Sequence, residues 1–290
     1  MRLLAALATI LMVAAPGGAS QRAAMAPDAP DAPDAAATFG WTGRTIQGGL
    51  IVASAPRGAV AVTLDGTALP LAPDGRFIAG FDRDARPSAL LEAQLADGRR
   101  ITQALTIAPR AWRIERLATL PRFPAPDPVM AQLRPAELAQ IVAARAQVTD
   151  ARGWRQRFRW PATGRISGLF GAQRIYRGEP GAYHSGTDIA KPTGSVVVAP
   201  ADGVVILAAD HPFTLEGNLL MIDHGDGLNS AFLHLSRIDV TPGEHVRQGQ
   251  PIGAVGATGR ATGPHLHWSL RWRDARLDPM LIAGEMDNPN

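Results

Sequence analysis

The chain contains no cysteine. Disulfides, nucleophilic thiols and thiolate metal sites are excluded together, so any metal site has to be built from histidine and carboxylate. Lysine is almost missing as well: Lys191 is the only one, and every other basic side chain is arginine. The net charge is only +3, aromatic residues make up 6%, and no basic cluster is interleaved with them. From Trp154 to the end, 13 Arg and Lys balance 13 Asp and Glu. Nucleic-acid binding therefore has no electrostatic footprint. No apolar run reaches the ~20 residues of a membrane-spanning helix. Histidine is absent from the first 183 residues, yet all seven copies fall between His184 and His267. Something in that region needs imidazole.

The start of the chain carries an address. Arg2 precedes an apolar run from Leu3 to Ala15, closed by Pro16-Gly17-Gly18-Ala19. This is the pattern of a secretory signal peptide, residues 1–19, cleaved after Ala19. It predicts an exported protein of the periplasm or cell envelope, with no stable membrane span after cleavage. Residues 20–38 form an Ala/Pro/Asp leader that has too little apolar surface to order itself. Short β-like runs punctuated by Asp65-Gly66, Asp74-Gly75 and Asp97-Gly98 follow over residues 39–109, predicting a small β-sandwich without titratable clusters. Residues 110–153 read as a Pro-rich and helical linker. Its helix is expected to start at Arg134-Pro135-Ala136-Glu137 and to turn Leu138, Ile141, Val142, Arg145 and Val148 to one face until about Asp150. Residues 154–283 are again β-rich and form the second domain, with 284–290 as a tail.

Three groups in that second domain carry chemistry. His184-Ser185-Gly186-Thr187-Asp188 places a nitrogen and a carboxylate four residues apart. His265-Leu266-His267 lies in a strand-like run, where residues i and i+2 share a face. His234 closes another strand. Imidazole and carboxylate suit zinc, and a catalytic zinc site needs three protein ligands beside an open position. Two ligands from His-x-x-x-Asp and one from His-x-His supply that count.

Several blocks around these residues resemble the lysostaphin/LytM (M23) peptidase family. They include Gly186-Thr187-Asp188-Ile189-Ala190, Val198-Ala199-Pro200-Ala201-Asp202-Gly203, Ile222-Asp223-His224-Gly225 and His234-Leu235-Ser236. Gly249-Gln250-Pro251-Ile252-Gly253, Thr262-Gly263-Pro264-His265-Leu266-His267 and Asp278-Pro279 complete the run. The resemblance implies a mainly β domain with a groove between antiparallel sheets. It implies zinc held by His184, Asp188 and His267, with His234 and His265 assisting catalysis. The implied reaction is hydrolysis of peptide bonds in peptidoglycan stems or crosslinks. The alternative reading is a non-hydrolytic LytM-type regulator of cell-wall amidases, acting on an envelope protein partner. Such regulators typically lack the zinc ligands, whereas all five residues stand in this chain. A biotinyl- or lipoyl-type carrier is excluded because Lys191 follows the metal motif instead of sitting at a hairpin tip. The chain departs from the family pattern at Phe232, and the segment Asp210–Glu216 replaces a Gly-rich loop.

Overall fold

The computed structural model describes residues 38–119 and 128–286. Residues 1–19, expected to be a signal peptide, nearly all of the expected leader, the Pro-rich residues 120–127 and the end of the tail lie outside the described residues. Among the described residues no helix is long and apolar enough to cross a membrane.

The fold is mainly antiparallel β. Over residues 40–106, strands Gly40–Gly43, Leu50–Ser54 and Arg76–Gly80 form one sheet. Strands Ala59–Leu64, Thr67–Leu69, Ser88–Leu95 and Arg100–Thr106 form another. Alternating apolar residues place Ile51, Phe77, Val62, Leu91 and Leu105 in the interior at 0–2% exposure. This core runs without a break into Trp268, Leu270, Trp272 and Leu277 of the second half. Polar ties reinforce the junction. Asp278 N–H donates to the Gly48 carbonyl (2.8 Å), and Arg110 Nη1 donates to the buried Asp278 carboxylate (2.8 Å). Asp278 also caps a short helix, Pro279–Ala283, by accepting from Met280 N–H. Within residues 110–153, Ile114–Leu117 forms a strand that pairs in parallel with Gln173–Tyr176.

The large sheet of the second half sets up the site. Its strands are β1 (Arg165–Gly168), β2 (Thr187–Ala190), β3 (Gly203–Ala208), β4 (Asn218–Asp223), β5 (Leu228–Leu235), β6 (His245–Val246), β7 (His265–Trp272) and β8 (Ala275–Leu277). They lie in the order β6-β3-β4-β5-β7-β2-β1, with β8 pairing β7. Register places Asp188 beside His267, and His267 beside Leu233. Strand alternation then splits β7 into two faces: Leu266, Trp268, Leu270 and Trp272 enter the core, while His265, His267, Ser269 and Arg271 line the opposite face.

Helix α1 (Pro128–Arg145) packs on that second face, where Ile141 and Ala144 meet Ile206, Leu219, Met221 and Ala231. The helix expected from Arg134 to about Asp150 thus begins a turn and a half earlier and ends sooner. Pro128 occupies its first position, where a missing N–H costs nothing, and Pro135 is carried inside it. Beyond Arg145 the chain leaves the helix to bond the sheet: Gln147 donates to the Ile206 carbonyl, and Thr149 donates to Asp223. The buried face also differs from the expected one. Leu138, Val142 and Val148 are 44%, 65% and 96% exposed, whereas Glu137 is buried. Glu137 faces inward because it is fully engaged. It accepts from Thr214 N–H (2.6 Å), Thr214 Oγ1 (2.7 Å) and Arg134 (3.2 Å), and Arg134 continues as a fork onto Glu216 (2.5 and 2.8 Å).

Burial opposes the charge on Glu137, but the Thr214 hydrogen bonds and Arg134 outweigh it and hold the carboxyl below its usual range. Glu137→Ala strands these donors and is expected to cost about 2–4 kcal/mol at pH 7 in a urea melt. The folded pKa lies below the unfolded one, so this stabilisation is present above about pH 4.5 and is lost as pH falls through the folded value. The gap between the two proteins should therefore narrow in acid. A gap unchanged from pH 7 to pH 3 would show that Glu137 acts through packing and not as a carboxylate.

Candidate metal centre

Three donor atoms converge where β2 and β7 adjoin the loop before β2. His184 Nε2 lies 3.0 Å from Asp188 Oδ1 and 3.0 Å from His267 Nδ1, and His267 Nδ1 lies 2.9 Å from Asp188 Oδ1. Among the described residues these three form a group able to hold a metal ion. Burial opposes the charge on His184, but Asp188 and the Leu169 carbonyl raise its pKa; with the ring neutral, hydrogen bonding alone does not account for the triangle. His184 Nδ1 lies 3.0 Å from the Leu169 carbonyl. A neutral His184 that donates there has no proton left on Nε2. Three short contacts then share at most the one proton of His267 Nδ1. Lone pairs meeting without protons suit a cation, which His184, Asp188 and His267 would hold through these three atoms. Two imidazoles and one carboxylate fit zinc, and the Leu169 carbonyl orients the first of them.

The backbone is shaped around these side chains. Gly168 of β1 lies opposite Asp188 in the ladder, and a Cβ there would fall 2.2 Å from Asp188 Oδ2. A Cβ on Gly186 would fall 2.5 Å from the Trp268 carbonyl and 2.7 Å from His267 Nε2. Only glycine lets β1 and the loop before β2 close on the ligands. Burial disfavours the Asp188 carboxylate, but both imidazoles hold its pKa far below the usual range. It therefore remains anionic, the form that could hold a metal ion.

The two further histidines reach the same place by different routes. His265 follows simple alternation, two residues before His267. Its Nδ1 lies 2.8 Å from the Gly263 carbonyl, and its Nε2 lies 3.9 Å from Asp188 Oδ1. His234 does not follow alternation. Phe232 faces the core and is fully buried, so a regular strand would send His234 there too. The register between β4 and β5 slips instead: Leu220 pairs with Phe232 but Asn218 pairs with Leu235, leaving Leu219 alone against Leu233 and His234. His234 takes up the extra residue with φ of 64°. This β-bulge turns its ring onto the ligand face, 4.8 Å from His265 and 6.3 Å from His267 between ring centres. The bulge is held by His234 N–H donating to the Glu216 carbonyl (2.8 Å), and the ring by Nδ1 at 2.8 Å from the Thr258 carbonyl. Burial pushes the His234 pKa down to about 4, so the ring is neutral near pH 7.

The remaining histidines stand apart from the site. His224 is fully buried and bridges the Asp202 carbonyl and Ser230 Oγ, both at 2.8 Å. His211 pairs with Asp210 at the surface, and His245 is exposed. Gly168 was missed in the sequence, although an isolated glycine inside a strand-like run marks a close backbone approach. The carbonyls of Leu169, Thr258 and Gly263 carry no side-chain signal at all.

Comparison with known proteins agrees with this geometry. Residues 182–279 match the sequence profile of peptidase family M23. The peptidoglycan DD-endopeptidase ShyA of Vibrio cholerae is 41% identical over 126 residues, which are 43% of this chain and 29% of that protein. The DD-carboxypeptidase/endopeptidase Mpg of Neisseria meningitidis is 40% identical over 123 residues, 41% of this chain and 27% of that one. The matched segment thus spans less than a third of either relative. A crystal structure of a candidate M23 peptidase from Pseudomonas aeruginosa superposes with a TM-score of 0.64 at 29% identity. That likeness covers 83% of this chain and 96% of the other, and so extends well beyond the matched segment. Residues 182–279 are thus similar in sequence to the domain that defines peptidase family M23.

Proposed function

We propose that the protein is an exported, zinc-dependent endopeptidase that hydrolyses peptide bonds in peptidoglycan stems or crosslinks. The observation that carries this reading is the donor triangle of His184, Asp188 and His267, with His234 and His265 beside it, inside a segment similar to the M23 domain. The names of the relatives, peptidoglycan DD-endopeptidases, support the substrate class. Zinc, when bound, polarises a carbonyl and lowers the pKa of water toward 7. His184, Asp188 and His267 hold it.

His234 and His265 move the protons. Each turns Nδ1 to a backbone carbonyl, so Nδ1 carries the hydrogen and Nε2 is the free nitrogen. One of them accepts a proton from the attacking water as the new C–O bond forms. It returns that proton to the nitrogen when the C–N bond breaks, so an amine leaves. The other, when its Nε2 also carries a proton, donates a hydrogen bond to the charge that builds on the carbonyl oxygen. Residues 39–109 serve as a positioning module; they hold no histidine, and their core is continuous with that behind the site. The N-terminal pattern of residues 1–19 supports export to the envelope, where the substrate lies.

The purified protein is expected to carry about one zinc per chain by elemental analysis. Asp188→Ala should lose it, and Gly168→Ala should bind it at least ~10-fold more weakly, because the added methyl displaces the Asp188 carboxylate. Full zinc in Asp188→Ala would sink the ligand assignment.

His265→Ala should keep the metal and lose ~10²–10⁴-fold in turnover, since a proton carrier outside the ligand set is removed without opening that set. Turnover is followed by mass on purified crosslinked peptidoglycan with no other hydrolase present. Crosslinked dimers should become monomers with water added at a peptide bond, a chelator should stop this, and zinc should restore it. Intact dimers with zinc bound would favour the amidase-regulator reading instead.

A further inference from the structure

A second charged feature lies on the ligand-bearing face. Arg134, Leu138, Ile141 and Arg145 follow one another along α1 at i, i+4, i+7 and i+11, and so line one side of the helix. Between that side and the sheet is a cavity of about 210 Å³, whose opposite wall includes Ser185, Ser269, Arg271 and Arg276. Ser185 directly follows the ligand His184. Ser269 lies two residues beyond the ligand His267 on the same strand face, roughly 7 Å along β7. The cavity is therefore the metal centre's neighbour.

Its charges do not balance. Glu216, the acid in its wall, is taken by the fork of Arg134. Arg271 holds Asp274. Arg145 forms no ion pair among the described residues, and its Nε is buried without a hydrogen-bond partner. Burial, with Arg271 and Arg276 close by, pushes its pKa down to about 10 against the opposing pull of Glu216. Even so it stays charged at pH 7. Arg145 thus has one acid within electrostatic reach, and the hydrogen bonds of that acid go to Arg134, so the buried Arg145 Nε suits a further anion.

We propose that Arg145, supported by Arg271 and Arg276, is a specificity subsite for a free carboxylate of the substrate peptide close to the bond that is cut. The inference rests on the peptidase reading above and narrows its substrate to acidic peptides. The planar guanidinium fork matches a carboxylate. The volume admits a carboxylate on a short stem, since a water molecule takes about 30 Å³. The Ser185 and Ser269 hydroxyls add donors in the same wall. Substrate binding would supply the missing partner and fix the register of the peptide across the metal.

The test uses crosslinked peptide dimers released from purified peptidoglycan, untreated or with their carboxyls converted to amides by carbodiimide and ammonia. With the zinc-loaded full chain, amidation should lower kcat/KM at least ~10-fold, mostly through KM. Arg145→Gln should lower it similarly on untreated dimers. The two changes together should be no worse than either alone, because they remove the same contact. Arg145→Lys should fall in between. Losses that multiply, or a wild type indifferent to amidation, would overturn the proposal. Thermal melts guard against a folding effect: Arg145→Gln should not lower Tm, and a large drop without a change in selectivity would make Arg145 structural. Calorimetric titration of the zinc-free chain with both dimers separates this inference from the peptidase reading. Tighter binding of untreated dimers that depends on Arg145, in a protein that cuts neither once zinc is added, retains the subsite and removes the peptidase. Equal cleavage of both dimers retains the peptidase and removes the subsite.

Discussion

Holding one carboxylate oxygen and two imidazole nitrogens at 2.9–3.0 Å from one another is the requirement to which the surrounding architecture answers. Converging lone pairs repel, and burial adds a desolvation cost to the charge on Asp188. The fold meets this by rigidity. Asp188 and His267 are ladder partners on adjacent central strands, so backbone hydrogen bonds fix their separation. His184 is tied on both sides, its N–H donating to the Ala172 carbonyl and its own carbonyl accepting from Gly171 N–H, both at 2.8 Å. The core face beneath, with Leu266 and Trp268 fully buried, leaves β7 no room to shift. Such a site needs no reorganisation to receive a cation, and that is what a metal-assisted hydrolysis demands of its protein.

The same sheet face carries helix α1, and the link between helix and site runs through few atoms. Glu216 binds Arg134 of α1 through its side chain and His234 of the bulge through its carbonyl. Two residues earlier, Thr214 binds Glu137. The segment Asp210–Glu216 is therefore a clamp between the helix and the one histidine whose backbone is strained. A bulged residue with positive φ persists only where its neighbours over-determine it. Here they include a carbonyl from this clamp and another from Thr258. The departure from the family pattern in this loop places acidic and hydroxyl groups where α1 needs them.

Legibility in the sequence followed side-chain chemistry and stopped at the backbone. With cysteine absent and every histidine confined to one stretch, a nitrogen–oxygen metal site was readable, and strand periodicity put His265 and His267 on one face. Resemblance to the M23 family then separated ligands from assisting residues. Periodicity could not show that His234 joins them, because that depends on one extra residue in β5, which strict alternation contradicts. The buried face of the helix is illegible for a related reason. Apolar spacing nominated Leu138, Val142 and Val148, but the buried face is chosen by what lies opposite, and there Thr214 and Arg134 satisfy a glutamate. Arg145, read as one more position on an apolar face, owes its character to Arg271 and Arg276, which are more than a hundred residues away.

Two electrostatic imbalances thus sit side by side on one sheet face. The donor triangle brings together lone pairs that suit a cation, and the α1 cavity brings together guanidinium groups that suit an anion. If each were an accident of packing, the cheaper solutions are obvious: a neutral side chain for Asp188, or an apolar one for Arg145, would relieve the cost without disturbing the core. Keeping both on one sheet face, with Ser269 of the cavity wall two residues beyond His267 on β7, is economical only if one ligand set answers both. A peptide held with its carboxylate at Arg145 would present a carbonyl to the neighbouring metal site at a distance fixed by a rigid strand. Binding energy taken from a part of the substrate that does not react would then be available for aligning the part that does.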